Sequence, residues 1–374
     1  MSDEDLTLDD LRKIYQAINE SVYRGAGAGS FYGQYQTVLR GLNKHGTNPL
    51  PTNTELSGFT FITRPRLNLA TSSIRQDRIL STLDTLHETS LPFMIRCLLD
   101  TKFSTVHSDL ANKCPFLEAR SPFIIPMSNC ITNISGWPDY VIDTETTAGG
   151  FFSEDFTFAK GSDRLNRTYD LNIEFREIQG GIILTLAYIW SRWIDLVTKG
   201  DVIAYHEDIA NNRLEYTCSI YCFTLDPSLR CISKWAKATG CFPISVPIGL
   251  AFNMSNTENF ISAMTKFSIP FKANKVEYMD PIILLEFNML TERYWPALRN
   301  VGSLTQVPAG PEYNYKGLPH IDLTRGLNEL NFYENNTALK DPLDNTKRLL
   351  NDKFNQANAD KLSTLTEFRN KINV

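Results

Sequence analysis

The chain has 374 residues, of which 42% are hydrophobic and 21% are charged, and its formal net charge is −5. These values fit a globular protein with a sizeable core, and they disfavour bulk affinity for nucleic acid or for anionic membranes. Scattered cysteines, an acidic start and the lack of a bilayer-length apolar run predict a protein made in a reducing cytoplasm, without signal peptide or membrane anchor.

The chain begins with a predicted amphipathic helix. Apolar residues recur at helical spacing between residues 8 and 22, Thr7 and Asp10 fit a capping box, and three glycines follow from residue 25. A stretch rich in Asn, Thr, Pro and Gly from residue 43 to residue 58 predicts a linker. We therefore assign residues 1–58 to an N-terminal helix and linker.

A β-rich domain is predicted over residues 59–296. The segment from Phe59 to Pro65 predicts a strand that the proline stops, and the spacing of apolar residues within 74–86 predicts a helix. Residues 115–165 contain several prolines and few periodic signals. Because a long irregular stretch in a compact domain usually has a function, we interpret it as an arm that lies on another surface.

The clearest strand signal runs from Tyr169 to Arg176, where apolar and polar residues alternate. A helix is predicted from Gly181 through Lys199, with Gly200 in the left-handed position after its last turn. Four further strands are predicted, over residues 213–225, 230–237, 266–272 and 281–290. A loop over residues 239–243 separates the second of them from the third. This order predicts an α+β, mainly β, fold: an antiparallel sandwich or barrel with one packed helix and helical N- and C-terminal extensions.

The composition changes after Pro296, and residues 300–345 are rich in Asn, Gly and Pro, which predicts a loose linker. Apolar residues then recur at helical spacing on a polar segment: Leu362, Leu365, Phe368 and Ile372. We assign residues 297–374 to a C-terminal extension. Its amphipathic helix would dock on a neighbouring protein or on the main domain of its own chain.

The sequence contains no pattern that predicts a catalytic, cofactor or metal site. The motifs of serine hydrolases, P-loop NTPases and zinc peptidases are absent. Cys218, Cys222, Cys231 and Cys241 could hold zinc, but they lack a tight C-x-x-C pair, and we interpret them as core residues. The carboxylates within 139–155 suit a carboxylate site or a polar arm, and we favour the arm.

A family resemblance rests on the segment from Lys237 to Pro247. It resembles the Thr-Gly-Cys-[Ile/Phe]-Pro-Ile-Ser loop of baseplate tube-initiator proteins of contractile-tailed bacteriophages, which share the fold of tail-tube subunits. The other parts occur in the same order: an alternating strand before it, a helix with Trp190 and Trp193, and a Phe-rich segment after it at 267–271. The stretch from Phe61 to Asn68 also resembles a motif of large tailed-phage structural proteins.

The resemblance covers roughly residues 59–290, and it implies a tail-tube-like fold and a structural, non-enzymatic role. The protein would form a ring in the tail tube, or in the baseplate that initiates the tube, and the ring would be hexameric. Its partners would be copies of itself and neighbouring tail-tube or baseplate proteins, with DNA only as transient cargo in the lumen. It would need no cofactor, and it would be found in the virion after assembly in the host cytoplasm.

Two alternatives remain open at this point. One is a neck or adaptor protein of the virion that docks through its C-terminal helix, and the other is a cell-wall hydrolase that uses the acidic 139–155 region. For a tube subunit, the arm would act as a strap on a neighbour, since such a subunit must pair its sheet edges with other copies. The interface candidates are Phe151, Phe152, Phe156 and Phe158 of the arm, and Leu362, Leu365, Phe368 and Ile372 of the terminal helix.

Overall fold

The computed structural model describes most of the chain between residues 56 and 334. The described residues are 56–114, 117–152, 154–161, 167–225, 231–252, 266–307, 315, 317–323 and 328–334. The predicted N-terminal helix, nearly all of the predicted first linker, and the predicted C-terminal helix with Leu362, Leu365, Phe368 and Ile372 lie outside the described residues.

The described part of the chain contains twelve strands and eight α-helices. The strands are β1 (Leu56–Ile62), β2 (Ile131–Ser135), β3 (Asp143–Thr146), β4 (Thr157–Gly161), β5 (Tyr169–Arg176), β6 (Cys218–Leu225), β7 (Ile232–Pro243), β8 (Lys266–Ala273), β9 (Lys275–Tyr278), β10 (Thr305–Val307), β11 (Leu318–Asp322) and β12 (Glu329–Glu334). The helices are α1 (Thr71–Ile74), α2 (Leu91–Leu99), α3 (Thr101–Val106), α4 (Ser108–Ala111), α5 (Ile125–Asn129), α6 (Ile182–Lys199), α7 (His206–Ala210) and α8 (Pro281–Tyr294). None of these described helices has the length and apolar character required to cross a membrane.

Seven of the strands form one antiparallel sheet. Its order is β1-β6-β7-β8-β5-β2, and β9 pairs with β7 beside this path. Strands β10, β12 and β11 form a second, three-stranded sheet, and β3 and β4 form a separate hairpin. The predicted α+β, mainly β, class with antiparallel sheets is therefore confirmed. Within the described residues, the large sheet is open, with β1 and β2 at its edges, rather than a closed barrel.

Helix α6 begins and ends where the sequence predicts. Gly181 (φ 65°) precedes it and Gly200 (φ 81°) follows it, both in the left-handed conformation that glycine adopts without strain. In its first turn, where backbone N–H groups have no partner within the helix, the N–H of Ile183 donates to the carboxylate of Glu177 at 3.0 Å. A negative charge at this end of a helix is stabilised by the helix dipole.

The main hydrophobic core lies between α6 and the large sheet. Leu171, Ile173 and Phe175 of β5 are buried, so the strand alternates as predicted. Trp190 of α6 is buried against β8, with its ring centroid 6.1 Å from that of Phe271. The indole N–H of Trp190 also donates to a backbone carbonyl, which satisfies its polar group inside the core.

A second, aromatic core contains side chains of β1, β6, α8 and the three-stranded sheet. Phe61 of β1 lies 5.2 Å, between ring centroids, from Phe287 of α8, and Phe59 lies 5.2 Å from Phe332 of β12. The three-stranded sheet falls within the segment for which a loose linker is predicted. Residues 305–307, 318–322 and 329–334 are thus paired strands, two of which bury side chains in this core.

The strand predicted over 281–290 is wrong, because this segment is helix α8. Asp280 caps its start, since its side chain accepts a hydrogen bond from the N–H of Ile282 at 3.0 Å, and Pro281 stands at the first helical position. The buried residues Ile283 and Phe287 are four positions apart, as on one face of a helix. The unbroken apolar run at 282–285 hides this period in the sequence.

The loop predicted over 239–243 is also wrong, because β7 continues through Pro243. Ala238 pairs with Ile220 and Cys241 pairs with Cys218, so β7 has one residue more than β6 between these pairs. The extra residue makes a β-bulge at Gly240, which has a φ of 67°. A glycine and a proline near the end of a strand resemble a loop in the sequence.

Other elements follow the prediction in part. The strands predicted from Phe59 and over 266–272 are confirmed as β1 and β8, although β1 begins at Leu56. The strand predicted over 213–225 begins only at Cys218. Within 74–86 the structure has a short 3₁₀ turn at Leu80–Leu83, and the helices between 91 and 111 were not predicted.

Candidate assembly interface

The predicted arm contains two parts with different environments. Its first part, 117–135, holds α5 and β2, and it buries Phe123, Ile124 and Met127 in the two cores. Its second part contains the β3–β4 hairpin. We call residues 140–161 the aromatic hairpin. All five residues of β4 are exposed, whereas a strand that packs on a core alternates, so neither face of β4 packs on the described body.

Seven large apolar side chains of the aromatic hairpin are exposed to solvent. Phe151, Phe152 and Phe156 are 94%, 85% and 69% exposed, and the others are Tyr140, Val141, Ile142 and Phe158. Exposed apolar side chains that gather in one patch usually mark a binding surface, and the rings of Phe151 and Phe152 are in contact. The structure therefore brings the four predicted phenylalanines together on one hairpin.

The tip of the hairpin is ordered by its own hydrogen bonds. The carboxylate of Glu154 accepts from the N–H of Phe152 at 2.8 Å, and its carbonyl accepts from the N–H of Gly150 at 2.8 Å. The N–H of Phe156 donates to the Thr147 hydroxyl at 3.0 Å. The Phe151 and Phe152 rings are perpendicular, with centroids 5.2 Å apart. The tip thus presents aromatic rings on a preformed turn.

The base of the hairpin is attached to the large sheet through β9. The hydroxyl of Tyr278 donates to the carbonyl of Pro138 at 2.6 Å, and the Trp137 ring lies 6.1 Å from the Tyr278 ring. Burial raises the pKa of Tyr278 to about 12, so this hydroxyl stays a donor at physiological pH. Gly136 precedes the base with a φ of 94°, and a Cβ there would lie 2.2 Å from the carbonyl oxygen of Asp170.

Tyr140, Val141 and Ile142 were not identified from the sequence. Such a short apolar run looks the same in sequence whether it is a buried strand or an exposed surface. A signal was present in Pro138 before the run and in the dense carboxylates after it, which favour an exposed position.

The carboxylates of the 139–155 region line the exposed hairpin. Glu145 forms an ion pair with Lys160 at 3.1 Å, and Glu154 closes the turn as described above. Asp139 and Asp155 are exposed. Catalytic carboxyl groups usually converge in a concave, partly desolvated pocket. Glu145 and Glu154 instead make contacts within the hairpin, and Asp139 and Asp155 are exposed to solvent.

The cysteines are free thiols, most of them buried. On β6 and β7, Cys218 lies opposite Cys241. The Cys222 thiol accepts a hydrogen bond from the Thr60 hydroxyl. The backbone of Cys231 forms an isolated antiparallel β-bridge with that of Glu329. In the part of the chain that the structure describes, no group of three or more His, Cys, Asp or Glu side chains is placed to hold a metal ion.

Solved structures with local similarity belong to contractile injection systems. The tube-terminating cap of the anti-feeding prophage is 14% identical over 40% of this chain and 80% of that chain, with a TM-score of 0.25. A chain of the PVC sheath–tube complex in the extended state is 14% identical over 42% and 83%, with a TM-score of 0.25. A chain of the PVC sheath/tube terminator is 12% identical over 40% and 84%, with a TM-score of 0.23. Likenesses of this size carry no argument about function.

The match to a protein family covers more of the chain than the matches to solved structures. A search of curated proteins found no match. Residues 5–346 match the family described as "Putative phage tail tube protein". This match confirms the resemblance that the sequence motifs indicate. Because it spans most of the 374 residues, the chain belongs to this family of phage tail tube proteins and has a structural role in the tail.

Proposed function

We propose that the chain is a structural, non-enzymatic subunit whose copies form a ring in the tail tube, or in the baseplate that initiates the tube. The observation that carries this proposal is the aromatic hairpin, which has its own hydrogen bonds and seven exposed apolar side chains and is joined to a body with its own two cores. Family membership supports the tail location. A hexameric ring, assembly in the host cytoplasm and DNA as transient cargo follow from the sequence resemblance.

The hairpin suits a strap between copies. Each Phe side chain that becomes fully buried stabilises a contact by roughly 1.5–3 kcal/mol. The turn is already ordered in the free chain, which lowers the entropy lost on binding. A head-to-tail contact of this kind closes into a ring when the rotation between copies fits.

Strand β2, which is at the edge of the large sheet among the described strands, lies next to the hairpin in the sequence. Among the described strands, β2 pairs only with β5, and Thr132, Asn133 and Ser135 are exposed. By contrast, the outer edge of β1 is covered at its last residue, since the carbonyl of Ile62 accepts from the N–H of Ile124 at 2.8 Å. An open strand edge in an abundant protein favours aggregation unless another chain covers it. The proposed ring contact therefore includes the β2 edge.

The proposed assembly is tested with the full-length protein by sizing, light scattering and electron microscopy. We expect rings for the wild-type chain and folded monomers for the F151S/F152S double variant, because this variant removes the tip rings. The matched control is Phe252→Ser, which replaces another exposed phenylalanine outside the hairpin and should still form rings.

Circular dichroism of the double variant should match that of the wild type. Rings formed by this variant would contradict the strap, and a wild-type chain that stays monomeric at high concentration would contradict ring assembly. The neck or adaptor alternative predicts instead a monomer that binds a tail partner through residues 362–372. The hydrolase alternative predicts release of cell-wall fragments that is lost in E145Q and E154Q variants.

A further inference from the structure

Two buried cysteines stand opposite each other in the centre of the large sheet. Cys218 begins β6, and its register partner on β7 is Cys241. Directly opposed residues of an antiparallel pair have Cα atoms about 4.5–5.5 Å apart, and disulfides span about 4.4–6.8 Å between Cα atoms. The Cα spacing expected from this register overlaps the range that disulfides span.

The bulge at Gly240 places both thiols on the same face. Ala238 and Cys241 are three positions apart, so a regular strand would direct their side chains to opposite faces. The extra residue restores the phase, and both side chains lie in the main core with Cys218. The left-handed φ of 67° at Gly240 is the conformation in which this bulge forms.

We propose that Cys218 and Cys241 are a redox modification site, reduced when the chain is made and joined as a cross-strand disulfide after exposure to a disulfide oxidant. Cys222 lies on the same strand but opposite Ala236, so it has no thiol across the ladder. Disulfides persist in oxidising surroundings, including the exterior of virus particles, whereas cysteines in the cytoplasm are kept as reduced thiols.

The reaction is an ordinary thiol–disulfide exchange. The thiolate of one cysteine attacks glutathione disulfide, forms a mixed disulfide and releases one glutathione. The second cysteine then attacks its neighbour's sulfur, so that the Cys218–Cys241 bond forms and a second glutathione leaves. Two electrons pass from the cysteine sulfurs to glutathione, and the two protons of the cysteine thiols end on the two glutathione thiols.

Burial makes this site slow to react. It raises the pKa of Cys241 to about 12 and raises the pKa of Cys218, so the thiolate fraction is small while the core is closed. Attack requires a local opening of the β6–β7 pair, which rare fluctuations of the native state allow. We expect formation of the disulfide over hours and not seconds.

The test uses the full-length protein incubated with glutathione disulfide under native conditions. The remaining thiols are then alkylated in denaturant, and the peptides are mapped by mass spectrometry. We expect a linked peptide pair that contains Cys218 and Cys241, absent from Cys241→Ala and present in Cys222→Ala. The thermal midpoint should rise by roughly 5 °C on oxidation and return on reduction.

Two results would overturn the proposal. One is complete alkylation of all seven cysteines after prolonged exposure to the oxidant. The other is a linkage that joins a different pair of cysteines, for example Cys97 with Cys114. If Cys241→Ala fails to fold, the peptide maps of the wild type and of Cys222→Ala still decide the question.

Discussion

Asp208 and Glu215 are two buried carboxyl groups in the segment before β6. They are 1% and 7% exposed, and one oxygen of each, Oδ2 and Oε1, has no hydrogen-bond partner among the residues that the structure describes. The other oxygen of Asp208 forms an ion pair with Arg66 at 3.0 Å. Burial raises the pKa of Glu215, and the charge of Asp208 adds to the increase. The Arg66 guanidinium pairs with Asp208 and with Glu207, and no ion pair to Glu215 is formed among the described residues.

We predict that Glu215→Gln raises the free energy of unfolding at pH 7. The pKa of Glu215 is higher in the folded chain than its ordinary value of 4.5. The protonated side chain therefore contributes its full stabilisation below pH 4.5, and this stabilisation is lost as the pH rises through the pKa of the folded chain. Urea unfolding from pH 4 to pH 8 should show the two chains converging at the acidic end.

The control for this prediction is Glu145→Gln, an exposed carboxylate of the hairpin. Its substitution should change the stability by no more than about 0.5 kcal/mol at any pH in this range. A variant Glu215→Gln that is less stable than the wild type at pH 7 would show that the carboxylate has a partner in solution.

At the scale of elements, the sequence predicts the helices and strands in which apolar residues recur at a regular spacing. Strand β5 alternates without interruption, and α6 combines a regular apolar stripe with glycines at both ends. Helix α8 was missed because its apolar run fits a strand equally well. The three-stranded sheet was missed because its short strands lie in polar segments rich in Asn and Gly, and it is stabilised by packing against distant residues, which local patterns do not record.

The candidate interface stays a prediction. The four phenylalanines are conspicuous in a polar segment, and their exposure on one hairpin agrees with a surface role. The start of the arm was set too early, since residues 117–135 contribute buried side chains to both cores. Docking of the C-terminal segment 362–372 stays a prediction.

The start of helix α8 is stabilised by the N-cap residue Asp280, which gives a prediction at the scale of elements. Asp280→Ala removes the acceptor for the N–H of Ile282 and should lower the free energy of unfolding by about 1 kcal/mol. Asp280→Asn keeps a side-chain oxygen at this position and should retain most of the stability. The comparison is made by thermal and urea unfolding, and equal losses in both variants would argue against capping.

At the scale of the whole molecule, the large sheet has a core on each of its faces. Helix α6 and helices before β2 cover one face, while α8 and the three-stranded sheet cover the aromatic core on the β1–β6 side. The division into 1–58, 59–296 and 297–374 stays a prediction. The packing of Phe332 of β12 on Phe59, and the burial of Ile321 of β11 in the same core, nevertheless favour a boundary beyond residue 334.

Truncation tests this division. A chain that ends at residue 296 loses Tyr315, Ile321, Leu330 and Phe332 from the aromatic core and should be aggregated or unfolded. A chain that ends at residue 345 keeps all three strands and should stay folded. Circular dichroism and sizing distinguish the two, and a soluble, cooperatively unfolding 1–296 fragment would instead support the sequence-based boundary.

The hydrogen bond between Tyr278 and Pro138 also gives mechanical load a second path into the subunit, beside the backbone that connects the hairpin to β2. A neighbour that pulls on the hairpin tip pulls on β9, which is paired to β7, for example at Tyr278 and Ala236. Strand β7 is in turn paired with β6 and β8. A pull on the hairpin therefore reaches the sheet by two routes, along the backbone into the edge strand β2 and through this hydrogen bond into the paired strands β9 and β7.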